Sequence, residues 1–170
     1  MFDRDSPRTA LVAYEEEKQK LAAFAYAMTK DRDVAEDLVQ ESFVRLLETL
    51  GAGRSPDNVS AWLFRVCTNL AMSRGRRLVV AQRFLRVARP LSDAPPADVE
   101  LLRSEMNAAL LDSLATLSID AQVALLMAAQ GFTGREIAKA IGRTELATRG
   151  LMFRSRQKLR DHLLLASSPE

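Results

Sequence analysis

The sequence predicts an all-α protein made of two small helical domains joined by a proline-rich linker. Three observations predict it. Apolar residues recur at helical spacing along nearly the whole chain, with no sustained period-two alternation of strand type. Glycine is sparse, 7 in 170 residues, and Gly51, Gly53, Gly131 and Gly142 punctuate the periodic stretches. Between Arg89 and Asp98, Pro90, Pro95 and Pro96 forbid a continuous helix, and the apolar period lapses. That stretch is the best domain boundary in the chain, the competing reading being a long surface loop inside one domain. The expected division is a first domain over 9–87, a linker over 88–98 and a second domain over 99–165.

The elements follow in order. A first helix is expected from about Leu11 to Thr29, with Leu21, Phe24, Ala25 and Met28 on one face. Lys30 to Asp33 reads as a turn, and Asp33 with Glu36 has the spacing of a capping box. The second helix then runs to about Leu50, with Val39, Phe43, Leu46, Leu47 and Leu50 inward. Gly51, Gly53, Ser55, Pro56, Asp57 and Asn58 mark a loop. A third helix begins near Asn58 or Ser60, carries Trp62, Leu63, Val66, Leu70 and Ala71 inward, and ends rich in arginine.

After the linker, Val99, Leu102, Met106, Leu110 and Leu114 form a helical stripe. Ser118 suits the N-cap of a helix from Ile119 to about Gln130, and Gly131 suits its end. Thr133 and Glu136 form another capping box, opening a short helix with Ile137, Ala138 and Ile141 inside and Gly142 at its end. Thr144 can cap a last helix from Glu145 to about Leu165.

Composition narrows the function. The chain is 48% hydrophobic and 27% charged, enough to bury cores. With one cysteine, Cys67, no internal disulfide forms. With one histidine, His162, neither a His/Cys metal cluster nor a histidine-based triad is expected. No apolar run reaches the roughly 20 residues of a membrane helix, and the first residues lack the apolar core of a secretory signal. The sequence therefore predicts a cytoplasmic protein, not inserted in a membrane, with no cofactor and no metal. There is no phosphate-cradling glycine loop, no HExxH and no serine elbow, so no enzymatic activity is expected.

Charge is unevenly placed. Between Asn58 and Ser92 there is no acid, while Arg65, Arg74, Arg76, Arg77, Arg83, Arg86 and Arg89 are basic. Between Arg143 and Arg160 the basic residues are Arg143, Arg149, Arg154, Arg156, Lys158 and Arg160, against the single acid Glu145. Two separated basic blocks point to two contacts with a polyanion.

Three constellations carry the functional reading. The first is Thr133-Gly-Arg-Glu136-Ile137-Ala138-Lys-Ala-Ile141-Gly142-Arg-Thr144, a short amphipathic helix, a glycine turn and a capped second helix, the pattern of a helix-turn-helix. Ala138 permits a close crossing, and Gly142 accepts the positive φ a turn requires. In the second helix, the stripe Thr148, Met152, Ser155, Leu159 stays uncharged and is taken as inward. Glu145, Leu146, Arg149, Phe153, Arg156 and Arg160 then face solvent or DNA. Arg149 and Glu145 are the candidates for base edges, and Arg154, Arg156 and Arg160 for phosphates or solvent. The plain alternative is an antiparallel helix pair with a basic surface.

The second constellation is the acidic helix, where Asp33, Asp37 and Glu41 lie four residues apart on one face. Like charges so placed repel by a few tenths of a kcal/mol per pair unless a cation offsets them. A solvated face with Arg45 paired to Glu41 is the simpler reading, and a binding face the sharper one. The third is the loop from Gly51 to Asn58 with the helix after it. Trp62, Arg65, Asn69, Arg74, Arg76 and Arg77 beside a loop suit single-stranded DNA, whose bases unstack into pockets while phosphates follow a positive groove. Trp62 alone reads more readily as core packing, and Cys67 as a small buried hydrophobe.

Three residue groups in this order resemble the extracytoplasmic-function sigma factors, small bacterial transcription initiation factors. They are Ala35-Glu-Asp-Leu-Val-Gln-Glu-Ser-Phe43, then Ala61-Trp-Leu-Phe-Arg65 with Asn69-Leu-Ala71, then Glu136-Ile-Ala138 with Ile141-Gly142 and the arginine-rich last helix. The likeness spans about Leu21 to Leu163 outside the linker. It implies a first domain that binds core RNA polymerase and the minus-ten promoter element, and a second that binds the minus-thirty-five element. By position, Asp37, Gln40 and Glu41, with Leu38 between them, resemble contacts to the clamp helices of the largest catalytic polymerase subunit.

The loop, with Pro56, Asp57, Asn58 and Ser60, resembles one that captures a flipped minus-ten base. Trp62, Arg65, Asn69, Arg74, Arg76 and Arg77 fall near the melted strand. Arg143, Thr144, Glu145, Leu146, Arg149, Phe153, Arg154 and Arg156 resemble the major-groove reader. Leu146-Ala147-Thr148 replaces the Gly-Thr-Val common there, and Gly150 lies inside the reading helix.

The resemblance thus implies an alternative sigma factor whose partners are core RNA polymerase, promoter DNA both duplex and melted, and an anti-sigma factor. Two rival readings remain at this point. A helix-turn-helix regulator without polymerase binding needs no acidic docking face. A mimic that titrates an anti-sigma factor needs no arginine block at Arg74, Arg76 and Arg77.

Overall fold

A computed structural model describes the backbone of residues 6–85 and 105–166, and side chains over 8–75 and 110–164. Seven helices and no strand occur among the described residues. They are α1 (Ser6–Thr29), α2 (Arg32–Gly51), α3 (Val59–Leu85), α4 (Glu105–Ala115), α5 (Ile119–Ala129), α6 (Gly134–Ile141) and α7 (Glu145–Ala166). Contacts divide the chain into two compact units, Met1–Ala94 and Pro95–Glu170. The expected linker over 88–98, and the stripe residues Val99, Leu102 and Met106, lie outside the residues whose side chains are described.

In the first unit α1, α2 and α3 pack against one another. Leu21, Phe24 and Ala25 of α1 meet Leu38, Val39, Phe43 and Leu46 of α2 and Leu63, Phe64 and Cys67 of α3, all of them buried. The Phe24 and Phe64 rings lie 5.0 Å apart, and Tyr14 meets Phe43 edge-on at 4.9 Å. Both separations fall in the favourable range for aromatic pairs.

Several local expectations change. Helix α1 begins at Ser6, before Leu11, and buries Ala10 and Ala13. The cap of α2 is Asp31, not Asp33: its side chain accepts a bond from the Val34 amide at 3.0 Å. The connection is shorter than expected because Lys30 takes a positive φ of 54° and turns the chain within a residue of α1. Leu47 is exposed rather than inward, and the core face of α2 is instead Ala35, Leu38, Val39, Ser42, Phe43, Leu46 and Leu50. In α3 it is Phe64, Cys67 and Thr68 that join Leu63 and Val66 in the core, while Trp62, Leu70 and Ala71 are half-buried.

In the second unit the core is built from Leu114, Leu117, Ala121, Val123, Ala124 and Met127 with Ile137, Ala138, Ala140 and Ile141 of α6. Leu110, Leu111, Leu125, Leu126, Leu151 and Leu159 pack against Leu114, Leu117 and Ala121. Ser118 occupies the N-cap of α5 in extended conformation, but its side chain makes no capping bond.

Candidate functional site

The sharpest local geometry is the α6–α7 corner. Thr133 caps α6 by accepting the Glu136 amide at 3.3 Å, and the Glu136 carboxylate accepts the Thr133 amide at 2.8 Å. The reciprocal pair satisfies two amides that a helix start otherwise leaves open. Gly142 ends α6 with φ of 67°, a backbone that side chains rarely adopt. Thr144 then starts α7, its hydroxyl accepting the Ala147 amide at 3.2 Å.

These caps fix the rotation of α7. Thr148 and Ser155 turn into the core, 1% and 4% exposed, and Met152 and Leu159 lie half-buried beside them. Leu151 also joins the core edge. Glu145, Leu146, Arg149, Phe153, Arg154, Arg156 and Arg160 are exposed. The outer face of α7 is therefore cationic with two large apolar groups, Leu146 and Phe153, among the charges.

Two residues grouped with this surface on the sequence have structural work as well. Arg143 donates from Nε and Nη2 to one oxygen of Asp120 at 2.8 and 2.6 Å, tying the turn to the start of α5. Thr144 is the cap just described.

In the first unit, α2 presents an outer face with Asp37, Gln40, Val44, Leu47 and Glu48 exposed and Glu41 half-exposed. The spacing of three and four residues makes one stripe. Leu38 does not belong to it: it is fully buried, because one residue on from Asp37 the helix has turned about 100° toward the core. Its predicted surface contact is withdrawn. Val44 and Leu47, 48% and 50% exposed, were missed. They continue the Asp37–Gln40 stripe at the next turns, but apolar residues at helical spacing read equally as core.

Three carboxylates of α2 have cations of their own. Glu41 accepts from Arg45 Nε at 3.0 Å, Glu36 lies 3.5 Å from Arg32, and Asp37 accepts from Arg74 Nη1 at 3.2 Å. The last pair spans α2 and α3 and joins a residue of the acidic face to one of the predicted strand-binding arginines. A docking role for this face thus rests on exposure and its apolar members, not on unmet charge.

The loop after α2 starts at Ala52 and Gly53, whose φ is 71°, and ends at Asn58. Asn58 caps α3, its Oδ1 accepting the Ala61 amide at 3.0 Å. Asp57 and Asn58 are exposed, and Pro56, Ser60, Trp62 and Arg65 are half-buried. Asn69 is exposed one turn further along α3, and Arg74 lies beyond it. Arg76 and Arg77 continue α3, with side chains outside the described residues.

No group of acids, histidines and cysteines among the described residues is placed to hold a metal ion. Cys67 is buried against Ser42, and burial pushes its thiol up to about 12. It is un-ionised and shielded at neutral pH. No helix among the described residues is long and apolar enough to cross a membrane.

The family described as Sigma-70 region 2 matches residues 13–79. The chain is 33% identical over 141 residues to the ECF RNA polymerase sigma factor EcfG of Rhodopseudomonas palustris, covering 82% of this chain and 76% of that protein. It is 28% identical over 150 residues to the probable RNA polymerase sigma factor RfaY of Xanthomonas campestris pv. campestris, covering 85% of this chain but spanning only 38% of that protein. It is 27% identical over 179 residues to the ECF sigma factor SigE of Mycolicibacterium smegmatis, covering 99% of this chain and 68% of that protein. The fold matches a chain in the co-crystal structure of the sigma factor RpoE in complex with the anti-sigma factor NepR from Bartonella quintana, with a TM-score of 0.75 at 24% identity over 95% of this chain and 98% of that one.

Proposed function

Because the chain belongs to the extracytoplasmic-function RNA polymerase sigma factors, we propose that it docks on core polymerase through the outer face of α2 and reads promoter DNA with α3 and α7. The observation that carries this reading is the division of α2 into a fully packed inner face and an outer stripe of Asp37, Gln40, Glu41, Val44 and Leu47. The exposed valine and leucine supply apolar area at the contact, and Asp37, Gln40 and Glu41 supply polar groups around it.

The remaining steps follow from chemistry. The cationic face of α7 enters the major groove of the minus-thirty-five element, with Arg149 and Glu145 at base edges and Arg154 and Arg156 nearer phosphates. Thr144 and Arg143 hold that helix in register. The loop ending at Asn58 takes up an unstacked minus-ten base. Trp62, Arg65, Asn69 and Arg74, with Arg76 and Arg77, line the melted strand. Extruding a base costs a few kcal/mol, and binding the open form offsets that cost. Bond-making belongs to the polymerase; this chain supplies position and selectivity, in the cytoplasm where polymerase and chromosome meet. An anti-sigma factor is a further partner, as NepR is for RpoE.

Run-off transcription tests the reading. Purified core polymerase with the full chain is supplied with genomic templates, and the start sites are mapped. The expected result is a defined set of transcripts absent without the chain and lost with Gln40→Ala combined with Leu47→Ala. A chain that binds duplex DNA yet yields no transcript with core polymerase contradicts it.

A further inference from the structure

Leu146 is the most exposed large apolar side chain among the described residues, at 79%. It belongs to a run of exposed residues from Gly142 to Ala147, the longest such run among them. Nothing in its own unit covers it. Burial cannot explain a leucine here, because the capping by Thr144 and the inward turn of Thr148 fix the helix so that Leu146 points away from the core. A single exposed leucine is ordinary on a protein surface. This one stands on the outer face of a helix-turn-helix second helix, one turn before Arg149 and Gly150 and two turns before Phe153, with Arg149, Arg154 and Arg156 exposed along the same helix.

A cationic face selects a polyanion, and the first turns of such a helix are the part that meets base edges. Among the groups displayed in the major groove, one is apolar: the 5-methyl of thymine. We infer that Leu146 is a specificity-determining residue that packs on a thymine methyl of the upstream promoter element. The inference rests on the proposed groove-reading role of α7 and adds to it a named base and a named contact. The neighbouring Glu145 lies in the first turn of α7, where the helix dipole favours a carboxylate.

The test removes only the methyl. The full chain is bound to core polymerase, and its affinity is measured on a promoter fragment identified by start-site mapping. A second fragment carries deoxyuridine in place of every thymidine of the upstream element, so pairing is kept and methyls are lost. The expected result is about fourfold weaker binding for each contacted methyl removed, the loss corresponding to one buried methyl. Leu146→Ala binds the thymidine fragment weaker by a similar or larger factor and no longer distinguishes the two fragments, which separates a direct contact from a change in DNA shape. Leu146→Gln, polar and of similar length, does the same.

If the wild-type holoenzyme depends on the upstream element, and loses binding with Arg149→Ala, yet treats both fragments alike, the inference about Leu146 is overturned and the groove-reading role stands. If binding shows no dependence on the upstream element at all, both fall.

Discussion

Gly150 gives a prediction in which stability and recognition move in opposite directions. It lies in the interior of α7, in ordinary helical backbone, where glycine is worth about 1 kcal/mol less than alanine. A Cβ built there would meet one neighbour, Arg154 Nη1 at 3.3 Å. That atom is the far end of an exposed, flexible side chain, so it can move aside at little cost. Gly150→Ala should therefore stabilise the second unit by at most about 1 kcal/mol, which raises the melting temperature of a domain this small by at most about 4–8 °C. Differential scanning calorimetry of the full chain reads the shift in the transition of the second unit. Gly150 also lies between Leu146 and Phe153 on the outer face of α7, so the added methyl should weaken promoter binding by the holoenzyme while the protein becomes more stable. A melting temperature that is unchanged or lowered would refute the reasoning, because it would mean that the helix interior at Gly150 is more crowded than the Arg154 contact implies.

Other perturbations follow from the same structure. Thr68 is fully buried and its hydroxyl has no hydrogen-bond partner, so Thr68→Val should stabilise the first unit by about 1 kcal/mol in a denaturant melt. Thr133→Ala removes the capping box of α6 and should cost about 1 kcal/mol in the second unit, seen as an earlier thermal transition. Cys67 should resist a thiol reagent such as Ellman's in the folded chain and react on unfolding. Its pKa rises from 9.0 to about 12 on folding, so above pH 9 the unfolded chain loses a proton that the folded chain keeps, and stability falls as pH rises across that window. Cys67→Ala should remove this component of the alkaline decline.

What could be read from the sequence was what short-range chemistry determines. Thr133, Glu136, Gly142 and Thr144 each specify a bond or a dihedral within four residues, and the α6–α7 corner follows from them. The inward stripe of α7 followed from its lack of charge. Leu47 misled because a leucine at helical spacing ordinarily belongs to a core; only the packed α1–α3 arrangement shows that the core face of α2 is already filled by Leu46 and Leu50. Leu38 misled in the opposite direction, placed on the surface by a family motif when its helical angle turns it inward.

Asp33 competed with Asp31 at similar spacing, and the structure places the cap at Asp31, next to Lys30 with its positive φ. Pairings across distance had no local signal. Asp37 with Arg74 joins α2 to α3, and Asp120 with Arg143 joins α5 to the α6–α7 turn, so charge patterning along one helix could not reveal them. Both pairs are solvent-accessible and contribute at most about 1 kcal/mol each, so a macromolecular partner can displace either one.

The central claim is that the outer face of α2 binds the polymerase. Titrating fluorescently labelled full chain with core RNA polymerase, wild type against Gln40→Ala combined with Leu47→Ala, measures it most directly. Losing half of a leucine's burial and a hydrogen-bonding amide should weaken binding by on the order of tenfold, with the helical circular dichroism unchanged and with Leu146→Ala binding core polymerase like the wild type. Equal affinity of the double variant and the wild type for core polymerase would contradict the account.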